Sequence, residues 1–227
     1  DVVAISDYGK GVVTPGILKA LIDQAKQRNI PVIADPKGTD FTRYSGATIL
    51  KPNKCEAYAA AGLGKDVPID EVAAKLHQQV NVKALMVTRS EEGISIFHSN
   101  GKHDHYPVQA MEVKDVTGAG DTVLAVVTFA IANGLAIGEA AQLGNEAAVI
   151  AISHFGCARV SLPMLAKRLL EKDASNKIFD DKHLYAFQDV ALEHATVYAL
   201  PLSTLYDLRR RYPALDRAWL GALSRQM

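Results

Sequence analysis

Apolar and polar positions along the chain follow two periods. Short runs rich in Val and Ile at residues 2–6, 31–35, 47–51, 84–88 and 94–97 predict strands. Between the first two, Ile17, Leu18, Leu21, Ile22 and Ala25 recur at helical spacing behind Thr14-Pro15, a cap followed by a first-turn proline. Helices are also expected over 70–80 and over 137–154, the latter apolar on most faces. Residues 109–116 read as a further strand, and 122–133 is an apolar run too long for an ordinary strand, hence a buried helix. This cadence predicts an α/β fold, with parallel strands joined by crossovers. Such sheets bind ligands beyond the C-terminal ends of their strands. Asp7, Asp35, Asn53 and Thr88 each end, or closely follow, a predicted strand.

The densest chemistry lies in Asp115-Val-Thr-Gly-Ala-Gly-Asp121-Thr122. Gly118 and Gly120 sit where the predicted strand turns into the buried helix. The backbone N–H groups of Gly118, Ala119 and Gly120, with the positive end of the helix dipole, form an anion hole there. Asp121 opens the helix and aims its carboxylate at whatever those groups hold. A carboxylate beside an anion site repels its ligand, so its use is to accept a proton from an attacking hydroxyl. A plainer reading also stands at this point, in which Asp121 caps the helix and the glycines only make the turn.

Composition narrows the classes. A chain of 227 residues with 48% hydrophobic content supports one domain, alone or with an appendage. Its 25 basic and 25 acidic residues are interspersed, so nothing points to a nucleic-acid partner. Cys55 and Cys157 form no disulfide or zinc pattern, which implies a reducing, cytoplasmic setting. Cys55 is expected to be a small buried residue, and His103 and His105 to lie in a polar, solvated turn. No signal peptide precedes the first strand, and the 123–132 run is far too short to span a membrane. The chain opens on Asp1 where a natural start carries Met, so a fragment or a processed chain is expected. Neither Gly-x4-Gly-Lys-Ser/Thr nor Gly-x-Gly-x-x-Gly occurs, which disfavours P-loop NTPases and Rossmann dehydrogenases.

Asp-x-Thr-Gly-Ala-Gly-Asp resembles the C-terminal signature of the ribokinase/PfkB sugar kinases, whose last Asp is the catalytic base. Four more segments match in order: Ser6-Asp-Tyr-Gly-Lys-Gly11, Asp35-Pro-Lys-Gly-Thr-Asp40, Lys51-Pro-Asn-Lys-Cys-Glu56 and Thr88-Arg-Ser-Glu-Glu-Gly93. As a set they look most like the heptose 7-phosphate kinases of lipopolysaccharide synthesis. The resemblance implies a ribokinase-like core over 1–172, with a mainly parallel sheet flanked by helices. It implies transfer of the γ-phosphate of ATP, with Mg2+, to a sugar phosphate, and Asp121 as base. Asn53, Lys54, Cys55 and Glu56 would organise nucleotide phosphate and metal, Glu56 through water and with no direct protein ligand to the metal. Read alone, Asn53 and Glu56 equally make a helix capping box. Thr88, Arg89 and Gly93 resemble the nucleotide-side loop. Asn145 falls where relatives border adenine, with a solvent-facing mid-helix Asn as the other reading. Asp7, Lys10 and Lys37 are candidates for substrate or phosphate contact, against ordinary turn positions.

The same family carries a lid and a Gly-Gly sugar-binding element before the point matching Asp1, so an N-terminally truncated core is expected. Its open sheet edge predicts self-association into a homo-oligomer. Residues 173–186 read as a charged linker. Residues 187–227 read as an appendage of strands and a helix, faintly similar to cAMP-receptor/Fnr-type regulators. A non-catalytic dimerisation or nucleotide-binding module therefore remains the other functional class, and another sugar kinase of the family a third.

Overall fold

The computed structural model describes residues 1–108, 113–156 and 159–176, with side chains as far as residue 170. The expectations for 109–112, for Cys157 and for 177–227 lie outside the described residues. Six strands form one sheet in sequence order: β1 (Val3–Ser6), β2 (Val32–Asp35), β3 (Ile49–Leu50), β4 (Ala84–Thr88), β5 (Ile94–His98) and β6 (His103–Tyr106). β1 to β4 run parallel, and β5 and β6 are antiparallel additions.

The purely parallel cadence thus stops at β4. Residues 89–93 are too few for a crossover, which needs a dozen or more, so the chain can only turn back as a hairpin. β6 replaces the polar turn expected around His103 and His105, which both point outward on this partly exposed strand. His103 stacks on Phe97 and pairs with Asp70 at 2.9 Å, while His105 Nδ1 lies 3.0 Å from Ser95 Oγ. The strand expected over 109–116 is not seen in its described part. The N–H groups of Lys114 and Asp115 donate to the carbonyl of Ile152 instead of to a ladder.

Six helices accompany the sheet among the described residues: α1 (Pro15–Gln27), α2 (Lys54–Ala61), α3 (Ile69–Gln79), α4 (Ala119–Ala132), α5 (Ile137–Ile152) and α6 (Leu162–Asn176). Period-two alternation along the strands sends side chains to two cores. Val32, Ala34, Leu50, Leu85 and Val87 face Leu18 and Ile22 of α1, Ala57 and Ala61 of α2, and Val72 and Leu76 of α3. Ile33, Ile49, Ala84, Met86, Ile94 and Ile96 face Val123, Leu124 and Val127 of α4 and Ala140 and Ala141 of α5. The sheet is therefore covered on both faces, which is why its strands read as continuous apolar runs. Each fully buried Leu, Ile or Val contributes roughly 1.5–3 kcal/mol before entropy is counted. α6 packs on α5 through Leu165 and Ile150, and Arg168 Nε donates to the buried Glu146 carboxylate at 2.8 Å.

Register places the chemistry. Ser6 pairs with Asp35 at the ends of β1 and β2, Lys51 and Asn53 follow β3, and Asn53 bridges to Thr88 at the end of β4. All lie at the C-terminal edge of the parallel strands, where α4 also begins.

Candidate active site

The loop before α4 is held by one carboxylate. Asp115 accepts the Thr117 N–H through Oδ1 and the Gly156 N–H through Oδ2, both at 2.9 Å, tying the loop to the end of α5. Its hydrogen bonds to Thr117 and Gly156 hold it below the usual carboxylate range. Gly118 then caps α4 with φ +77°, a left-handed conformation that costs a side-chain-bearing residue and suits glycine. The N–H of Ala119 is drawn to the Val116 carbonyl at 3.3 Å, and Ala119 does not line the cavity that opens here. Gly118 and Gly120 do. The Ala119 N–H is thus used within the turn, while Gly118 and Gly120 border the cavity.

This cavity, of about 160 Å³, is lined by Ser6, Asp7, Tyr8, Asp35, Pro36, Lys37, Glu56 and Asp121 together with the two glycines. It is smaller than the roughly 300–1,000 Å³ of whole-ligand pockets and suits the reacting groups of a substrate. Asp121 Oδ2 accepts a hydrogen bond from the Tyr8 hydroxyl at 2.8 Å, and Oδ1 lies 3.4 Å from Ser6 Oγ. Beneath them Lys51, 2% exposed, places its ammonium 2.8 Å from Asp35 Oδ2. A methyl built on Gly120 would lie only 3.8 Å from that ammonium, so the cation sits under the turn that opens α4. Burial pushes the Asp35 carboxyl up, and the Lys51 charge opposes it.

Asn53 and Glu56 form the capping box of α2. Asn53 Oδ1 accepts the Glu56 N–H at 2.9 Å and Glu56 Oε2 accepts the Asn53 N–H at 3.0 Å. Glu56 Oε1 reaches into the cavity, where Lys37 donates to it at 3.0 Å. Capping and a role in the cavity are thus compatible, one oxygen for each. Beyond Thr88 lies a second polar cluster. Glu92 accepts from Lys54 at 2.6 Å and from Arg89, whose Nη1 also reaches Ser95 Oγ at 3.1 Å. Gly93 sits at φ +87°, where a methyl would overlap the Tyr106 carbonyl and come within 2.9 Å of the Val108 nitrogen.

Three candidates have surroundings that the sequence did not suggest. Asp7 is 7% exposed, and both its oxygens are engaged, by Gly9 N–H at 2.7 Å and by the Tyr44 hydroxyl at 2.6 Å. It fastens the loop that carries Tyr8. Cys55 is exposed rather than buried, on the outer side of the first turn of α2. Asn145 is 5% exposed, so it does not face solvent, and its amide donates to the Tyr106 carbonyl at 2.7 Å. Lys10 is exposed and does not line the cavity.

The model of the pfkB family carbohydrate kinases matches residues 1–164. The chain belongs to this family. Among curated pfkB relatives, the bifunctional protein HldE of Syntrophotalea carbinolica is 45% identical over 184 residues, covering 78% of this chain and 38% of that protein. HldE of Geobacter metallireducens is 48% identical over 163 residues, covering 71% and 33%. The chain thus spans a little over a third of the length of such relatives. Among solved structures, Arabidopsis thaliana ribokinase complexed with ribose and ATP superposes with a TM-score of 0.66 at 24% identity, over 74% of this chain and 55% of that one. Phosphofructokinase-2 of Escherichia coli gives 0.66 at 20% identity, over 75% and 56%. These establish the ribokinase-like fold.

The structure gives partners to three residues that lie in the matching segments but had no assigned role. Lys51 and Asp35 each open such a segment, yet a Lys before Pro and an Asp before Pro carry no signal of burial or pairing. Tyr8 was quoted in a matching segment but given no role. Its reach to Asp121, more than a hundred residues away, is visible only in three dimensions.

Proposed function

We propose that this chain carries the catalytic core of an ATP-dependent sugar kinase in which Asp121 is the general base. The observation that supports this most directly is a carboxylate in the first turn of α4, beside the Gly118 and Gly120 backbone and above a buried ammonium. Such a site accepts a proton from a hydroxyl on one side and neutralises phosphoryl charge on the other. ATP would supply the phosphoryl group, and a bound divalent cation such as Mg2+ would neutralise charge on its oxygens. Among the described residues no three acidic side chains converge to bind a metal directly, and Asp35 is paired with Lys51; Glu56, which lines the cavity, would hold a hydrated cation through water. Lys54, Thr88 and Arg89 follow the strand ends on the nucleotide side, where Lys54 and Arg89 would exchange Glu92 for phosphate. Gly93 closes the turn that follows Arg89, and Asn145 braces β6 behind it. On the acceptor side, Lys37 and Lys10 would supply positive charge for a sugar phosphate, and Asp7, itself in the cavity lining, fastens the loop that carries Tyr8 and Lys10.

The substrate we infer is a heptose 7-phosphate, phosphorylated at its 1-hydroxyl. Its support is the set of motifs together with 45–48% identity to HldE proteins. The decisive variant is Asp121→Asn in the full-length protein, assayed for sugar-dependent ATP consumption. Loss of a general base should lower the rate by about 10²–10⁴-fold while nucleotide affinity stays within a few-fold. A variant keeping more than about a tenth of the parent rate would remove Asp121 from the mechanism.

A further inference from the structure

We propose that Tyr8 is a positioning residue for Asp121, its hydroxyl tethering one carboxylate oxygen so that the other meets the acceptor hydroxyl. The inference rests on the reading of Asp121 as base. A general base works only when it lies within about 2.6–3.2 Å of the proton it takes and is aligned with it. Asp121 stands in the first turn of a helix, and its carboxylate can turn about the side-chain bonds. The Tyr8 hydroxyl donates to Oδ2 at 2.8 Å, a good hydrogen bond, whereas Ser6 Oγ lies at a long 3.4 Å from Oδ1. Oδ2 is therefore held, and Oδ1 is the oxygen left for a substrate.

The tether is itself anchored. Asp7, the residue before Tyr8, accepts from the Tyr44 hydroxyl at 2.6 Å, and Arg43 lies 3.6 Å from the same oxygen. Its other oxygen accepts the N–H of Gly9, the residue after Tyr8, at 2.7 Å. The backbone on both sides of Tyr8 is thus fastened to one buried carboxylate. Burial, and then the bond to Asp7, push the Tyr44 phenol up to about 12, so it remains a donor across the working range. Tyr8 itself is 60% exposed. A large ring left in solvent with only its hydroxyl engaged contributes little to the core, so the position answers to the carboxylate it holds.

The test is Tyr8→Phe in the full-length protein, assayed with ATP, Mg2+ and D-glycero-β-D-manno-heptose 7-phosphate, beside Asp121→Asn and the double variant. Misplacing a catalytic group by about 1 Å costs up to 10²-fold. The expected result is a fall in kcat of about 10–100-fold, with both KM values within about threefold and the melting temperature unchanged. In the Asp121→Asn background, Tyr8→Phe should cause no further loss. An unchanged kcat, or a higher kcat with a lower sugar KM, would overturn the proposal. The second outcome would mean that the phenol occupies the acceptor's place. If Asp121→Asn is itself fully active, the reading of the base fails instead.

A sugar-independent measurement tests the contact alone. Hydrogen bonding to Asp121, and then its charge, hold the Tyr8 phenol above the ordinary tyrosine range. Ultraviolet titration of phenolate, with Tyr8→Phe identifying the Tyr8 component, should show that component moving to lower pH in Asp121→Asn. A component that does not move would show that the two side chains do not meet.

Discussion

Replacing Lys51 by Met removes a cation buried under the site and leaves its partner in place. Lys51 is 2% exposed and Asp35 20% exposed by side chain, with 2.8 Å between their charged atoms. Removing one partner of a buried ion pair costs about 3–5 kcal/mol, because the other charge is left uncompensated. Two features soften this here: Asp35 keeps some contact with water, and it can take up a proton. A loss of about 2–4 kcal/mol at pH 8 is therefore expected. The pH dependence follows from causes already visible in the parent. Burial raises the Asp35 carboxyl, Glu56 and Asp121 raise it further, and Lys51 is the charge that lowers it. Without Lys51 the folded value rises further above the ordinary aspartate value of 3.8. The folded state then binds the proton more tightly than the unfolded one. The deficit should be smallest near and below pH 4 and grow as pH rises through the folded value.

Urea unfolding of the parent, Lys51→Met and Asp35→Asn/Lys51→Met, each at pH 5 and pH 8, measures this directly. The double variant, which buries an amide instead of a lone carboxylate, should recover at least half of the loss and show little dependence on pH. A Lys51→Met protein within about 0.5 kcal/mol of the parent at pH 8, the range of an ordinary surface change, would refute the argument. So would a double variant no more stable than the single one.

Two further outcomes are expected. Gly93→Ala should cost at least about 2 kcal/mol in thermal unfolding, since φ of +87° and the overlap with the Tyr106 carbonyl add. Asp115, held below the ordinary aspartate value of 3.8, stabilises the loop fully above its unfolded pKa, and that stabilisation is lost as pH falls through the lower folded value. Hydrogen exchange at the Thr117 and Gly156 amides should therefore show protection fading below about pH 4 in the parent. In Asp115→Asn protection should be weaker at every pH and no longer follow that titration.

Most of the sheet was legible because its strands are buried on two faces and so carry uninterrupted apolar runs. α1 was legible for a local reason: Thr14 Oγ accepts the Ile17 N–H and Pro15 opens the first turn, as the residues suggest. β6 was not. His103 and His105 read as solvated because edge strands bury little, and the strand owes its place to pairing with β5. Cys55 misled in the opposite sense, since a small apolar residue in a motif looks buried while the register of α2 turns it outward.

The candidate site divides along the same line. Residues whose role lies in the local backbone were visible in the sequence: the left-handed Gly118, the capping Asn53 and Glu56, and Asp121 in the first turn of α4. Residues whose role depends on a distant partner were not. Lys51 needs Asp35 across two strands, and Tyr8 needs Asp121 from the far side of the sheet edge. Asp7 ends up lining the cavity, and its oxygens also take up the Tyr44 hydroxyl and the Gly9 N–H, a fastening that no local pattern announces. In the arrangement we propose, that fastening is what lets the neighbouring Tyr8 reach Asp121.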